Sequence, residues 1–230
     1  MRAHSCNLVE IRTPTEIIRP TCHEKLLGCW VQENLKWSDH VRDHKESLAR
    51  SLSTRFSAIK KVAKITSFKD RKMLADGIFT SKMTYLIALW GGCEAGMMRT
   101  LQVIQNKVAR VVARVDWGTP VKEIFNQVGW LSVNQLAFYH TVLLVYKVKV
   151  STEPRYLSNM FNWSYKYNTR QADKGHIRLE GRPKLELSSQ GFKWRAARQF
   201  NQLPGDILNS NSINAFKKRV KPWIRENVDF

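Results

Sequence analysis

Cations at helical spacing are the residues of this chain best suited to chemistry, and the chemistry they suit is phosphate binding. Lys107, Arg110 and Arg114 step by three and four, which lines them along one side of a helix over about 10 Å, at about 1.5 Å of rise per residue. Lys60, Lys61 and Lys64 gather at the end of another helical pattern, where the negative end of the helix dipole also favours positive charge. Lys217, Lys218, Arg219 and Lys221 fall in a third pattern, as a solvated face or as a second anionic contact. A formal charge of +19 and a pI near 10.1 on a chain that is 43% hydrophobic describe neither a disordered basic tail nor a neutral metabolic enzyme. The partner should be anionic: nucleic acid first, an acidic membrane surface second, a simple solubility effect third.

Other chemistries find less to work with. Asp39, Asp43, Asp70, Asp76 and Asp116 are scattered over caps, helix exteriors and a turn, and no two Asp are adjacent anywhere. Nucleotidyl transfer needs carboxylates converging on two metal ions, so the chain by itself is not expected to be an enzyme. Cys22 and His23 invite a zinc assignment, but no second pair stands at ligand spacing, and neither metal nor cofactor is expected. His140 lies in an apolar helical run with no local carboxylate or nucleophile, and reads as a core imidazole rather than a base. Trp163, Tyr165 and Tyr167, interleaved with Lys166 and Arg170, either stack on bases or pin a loop onto the helical core. Cys6, Cys22, Cys29 and Cys93 are too few and too irregular for a disulfide framework. They read as reduced thiols of an intracellular protein, nuclear or cytoplasmic and not secreted. No apolar run approaches the roughly 20 residues a bilayer span needs, and no membrane role is expected.

The elements that must position these groups are mostly helices. Residues 67–115 read as two long amphipathic helices around which the rest is organised. Ser67 with Asp70 is a start signal, and Leu74, Ile78, Tyr85 and Leu89, flanked by Phe79, Leu86 and Trp90, form a stripe ending at Gly91 and Gly92. Met97, Leu101, Ile104, Val108, Val111 and Val115 then make a seam that asks for a partner. Before these, a strand from Lys25 to Val31 runs around Gly28 and turns at Glu33 and Asn34. Ser38 then caps a helix through Val41, Leu48, Leu52, Phe56, Ile59 and Ala63, so that three long helices begin near Asp39, Phe68 and Met97. Thr119 and Pro120 open a short helix ended by Gly129, and Ser132 with Gln135 forms a capping box for a deeply buried one. Two more helices, Gly191 to Gln199 and Ser212 to Arg225, carry Trp194, Phe200, Phe216 and Trp223 as anchors.

The order of motifs from Leu26 to Ile224 resembles the region downstream of the polymerase palm in reverse transcriptases of non-LTR retrotransposons. It rests on Leu27-Gly28; Leu35, Trp37 and His40; Tyr85 and Trp90-Gly91; Leu101, Ile104, Gln105 and Asn106; Gly129-Trp130-Leu131; Tyr167 to Arg170; and Asn201, Leu203, Pro204, Phe216 and Lys217. Phe200 stands where the family usually has Trp, and the Tyr-x-Asp-Asp signature is absent. The resemblance implies a thumb that grips template and primer, a partner that is RNA/DNA hybrid or RNA held through phosphates, and a Leu27-Gly28 strand that closes the palm. The expected fold is mainly α: a thumb-like helical bundle preceded by a short β-hairpin, with a loop-rich, partly helical C-terminal extension. The corresponding segments are 1–24, poorly ordered; 25–37, the hairpin; 38–150, the thumb-like bundle; 151–190, a linker; and 191–230, a basic helical end. The alternative is a helical interaction module whose Met97 to Val115 seam docks a partner helix and whose charge serves only solubility.

Overall fold

A computed structural model of the chain describes residues 10–163, 175–179, 181 and 191–229. It is mainly helical with short antiparallel strands near the N-terminus, and its residues divide into two compact units, Met1–Ser51 and Leu52–Phe230.

In the first unit, β1 (Ile11–Arg12) pairs with β2 (Ile17–Ile18), and β3 (His23–Leu26) with β4 (Cys29–Gln32). Residues 10–24 thus include a small hairpin where little order was expected. The turn at Glu33 and Asn34 is present, closed by Leu35 N–H donating to Gln32 O (2.9 Å), but the hairpin itself turns earlier, at Leu27 and Gly28, where both take positive φ (48° and 81°), the pattern of a two-residue turn that matches strand twist. Leu27, counted as a strand residue by its apolarity, is 78% exposed at the tip. Ser38 does not cap a helix. Its hydroxyl donates to Gln32 Oε1 (3.0 Å), and the π-type turn Asp39–Asp43 stops at an extended His44 whose ring lies 3.9 Å from that of Trp30. The expected helix from Asp39 is therefore broken, and α1 (Leu48–Val62) begins nine residues later.

In the second unit, Ser67 Oγ accepts the Asp70 amide and starts α2 (Phe68–Ala75). A π-type turn, Asp76–Thr80, leads into α3 (Ser81–Thr84), and Leu86 at φ 52° breaks the run before α4 (Ile87–Trp90). The buried stripe is Arg71, Ala75, Phe79, Met83, Ile87 and Trp90, while the expected Tyr85 and Leu89 are exposed. Four-residue steps drift by about 40° per turn in a regular α-helix, and the wider π turn corrects the drift. Gly91 has an ordinary φ of −66°; it is needed because a Cβ there would stand 2.7 Å from that of Ala137.

Helix α5 (Ala95–Ala113) buries Met97, Leu101, Ile104 and Val108 as expected, then Val112 in place of Val111. Helix α6 (Val121–Val128) ends at Gly129 with φ 76°, and the Ser132–Gln135 capping box opens α7 (Val133–Ser151). The organising element is α7, which packs against α3, α4 and α5 and, later in the chain, against the C-terminal helices. After α8 (Arg155–Ser158), these are α9 (Phe192–Asn201), α10 (Gly205–Leu208) and α11 (Ile213–Asn227). Phe138, Val142 and Tyr146 of α7 share one core with Phe200, Leu203, Phe216, Val220 and Ile224, and Tyr146 stacks on Phe216 at 4.0 Å. The boundary placed at 151 therefore lies inside one unit. Polar and loop-like composition between two helices does not prevent the helices beyond it from returning to the same core.

Candidate nucleic-acid interface

Two of the three cation sets meet. The later half of α1 and its exit present Phe56, Lys60, Ala63 and Lys64 at helical spacing. The later half of α5 and the loop after it present Lys107, Arg110, Val111, Arg114, Val115 and Trp117. Between them lies a groove of about 500 Å³ whose lining, among the described residues, includes no carboxylate. Lys60, Lys64 and Lys107 are exposed, and their ammonium groups have no hydrogen-bond or ion-pair partner among the described residues. Lys61, on the same helix end, does not line the groove.

Two arginines hold the groove together instead of facing it freely. Arg114 closes α5 in the left-handed region (φ 53°), and its Nη2 donates to the carbonyls of Ala63 (2.6 Å), Lys64 (2.8 Å) and Thr66 (3.3 Å). The open carbonyls at the end of α1 carry the negative end of the helix dipole, so a guanidinium suits them. Arg71, 4% exposed, joins the same junction: its Nε donates to Val112 O (2.9 Å) and its Nη1 to Thr66 O (2.5 Å). Burial, and then the nearby Arg114 charge, lower the Arg71 pKa. Sequence reading missed Arg71; the available signal was a cation standing in phase with Ala75 and Phe79. Arg110 lies with Cζ 5.2 Å from the Trp117 ring centre.

The third cation set lies apart from the groove, on α11. Lys218, Arg219 and Lys221 are exposed and Lys217 is half-buried. Arg219 donates to Asp206 O (2.9 Å), and Lys221 Nζ sits 5.3 Å from the Tyr139 ring centre.

The scattered carboxylates have local roles. Asp70 caps with Ser67, Asp76 accepts from Lys72 (2.7 Å) and Trp130 Nε1 (2.8 Å), Asp39 faces His23 (3.3 Å) and Asp43 pairs with Arg42 (2.7 Å). Among the described residues, no group of three or more His, Cys, Asp and Glu side chains is placed to hold a metal ion. Cys22 is exposed while the His23 ring lies against Trp30 and His44. His140 is half-buried edge-on to Tyr139, and burial, then Lys147 and Lys221, push its pKa down. Trp163 packs on Phe161 and Phe200, pinning its loop to the core; Tyr165, Lys166, Tyr167 and Arg170 lie outside the described residues. Among the described residues no single helix is long and apolar enough to cross a membrane. The bent pair α6 and α7 passes that test jointly, by length and composition, but α7 is a core helix. No protein-family model, curated protein or solved structure matches the chain.

Proposed function

We propose that this chain is a nucleic-acid-binding fragment of a retrotransposon RNA-directed DNA polymerase, one that grips RNA/DNA hybrid or RNA through phosphates and lacks the catalytic Asp pair. The observation that carries the binding is the acid-free groove, where cations from two helices face one space. Phosphates approaching it meet positive charge from two sides and no carboxylate. The retrotransposon origin rests on the order of motifs, and many motif residues have fold-defining roles. Trp90 Nε1 donates to Tyr85 O (2.9 Å), Gln105 Nε2 to Leu131 O (2.9 Å), and Asn201 exchanges two 2.8 Å bonds with Ile177. Such residues recur together when chains share a core. Leu27-Gly28, carried over as the close of a palm strand, is a hairpin tip here. Against the interaction-module alternative, Met97, Leu101 and Val108 are already covered within the chain, by neighbours that include α2, α6 and α7.

The test is affinity for a labelled RNA/DNA hybrid across a salt series. Log affinity should fall with log salt by about 0.9 per phosphate neutralised, the value for B-DNA. Replacing Lys60, Lys64 and Lys107 together by Ala should reduce that slope by about 2 to 3, equally for all sequences, since phosphate contacts position without reading bases. A flat salt response in the unaltered protein would remove the reading.

A further inference from the structure

Resting on that reading and narrowing it, we propose that the groove between α1 and α5 holds an unpaired nucleotide strand, one base stacked on the Trp117 indole and the flanking phosphates against Lys60, Lys64 and Lys107. Trp117 is 74% exposed at the groove's edge, an indole left in water beside a helix whose large apolar residues are mostly buried. Arg110 Cζ lies over its ring, 5.2 Å from the centre, a cation–π contact already in place. A further flat π-system added to this pair is the arrangement by which single strands are held without regard to sequence. Among the described residues, the rest of the lining pairs apolar Phe56, Ala63, Val111 and Val115 with cations. That combination fits a polyanion that also carries flat apolar groups, and an unpaired strand is one, whereas a duplex hides its base faces by stacking. The size agrees. About 500 Å³ is within the range of small-ligand sites and takes a nucleotide or two. A duplex, whose major groove alone is about 12 Å wide, would lie over the groove and not in it.

The experiment compares binding of labelled oligothymidylate with that of an abasic strand of equal length and charge, for the unaltered protein, Trp117→Ala and Trp117→Phe, with a thermal melt of each. The unaltered protein should prefer thymidylate by about tenfold, the scale of one stacked base. Trp117→Ala should abolish that preference and leave abasic binding intact, while Trp117→Phe keeps most of it. Equal affinity of the unaltered protein for the two strands overturns the proposal even if Trp117→Ala fails to fold, and so does a preference that survives in Trp117→Ala. Displacement of thymidylate by poly-glutamate as readily as by unlabelled thymidylate of matched charge would assign the groove to an acidic polypeptide and also overturn it. Salt-dependent affinity indifferent to Trp117 fails this proposal alone; affinity for no strand or hybrid fails the nucleic-acid reading with it.

Discussion

The groove between α1 and α5 and the exposed face of α11 carry similar charge, yet they differ in how the charge is presented. On α11, Lys217, Lys218 and Arg219 are consecutive, so at about 100° per residue they fan over more than half of the helix circumference. In the groove, Lys60 and Lys64 on one side face Lys107, Arg110 and Arg114 on the other, each set at three- or four-residue spacing. A helix makes a stripe by itself, but only a second helix can turn two stripes into a site. The difference is fixed by Arg114 and Arg71, which tie the α1 exit to the end of α5 through backbone carbonyls. Arg219 makes a single such bond, to Asp206.

The comparison breaks first on binding. The combined alanine variant of Lys60, Lys64 and Lys107 should lose on the order of 100-fold in affinity for hybrid at low salt. The matching variant of Lys217, Lys218 and Arg219 should lose about threefold or less, since diffuse surface charge steers but does not converge. Equal losses, read by fluorescence anisotropy, would mean that the two faces do the same work. Next comes stability. Arg114→Ala leaves several carbonyls at the α1 exit without their charged donor, and urea unfolding should show a loss of about 1–2 kcal/mol. Arg114→Lys should recover only part of it, because an ammonium can also donate three bonds from one nitrogen, as Nη2 does here, but on a flexible stem that loses more freedom for each bond made. Arg219→Ala should stay within about 0.5 kcal/mol of the unaltered protein.

The smallest effect concerns His140, on the central helix. Burial lowers its pKa in the folded chain, whereas the unfolded chain takes up the proton near pH 6.5. Above that pH both states are neutral and the group is silent. As pH falls below about 6.5, the unfolded state gains a proton that the folded state resists, so stability drops until the folded pKa is passed, by at most about 1.4 kcal/mol per pH unit. Urea midpoints measured from pH 7 to 5 should fall less steeply for His140→Gln. Unchanged steepness would place the acid sensitivity elsewhere.

Much of this fold was legible because its signals are local. Ser67 with Asp70, Ser132 with Gln135 and the αL exit at Gly129 each act within one helical turn, where chain connectivity alone brings the groups together. The misjudged features depend on backbone conformations and contacts that helix and strand periodicity does not encode. The strand read through Leu27 yielded to a positive-φ tip, the helix from Ser38 to a bond with Gln32 and a His44–Trp30 contact, and the apolar stripe of 67–90 to a π turn.

The candidate site divides in the same way. Residue order alone determined that Lys107 and Arg110 would stand on one helix side and Lys60 at the end of another, because 3.6 residues per turn leaves no alternative once a helix forms; Lys64 and Arg114 follow just past the two helix ends. The tertiary structure alone decided that those two sides face each other, that Lys61 and the α11 cations stay outside, and that Arg71 is drawn inward to join them. Which stripe meets which follows from how side chains on different helices interlock, and from unsatisfied carbonyls seeking a donor some 50 residues away in the chain.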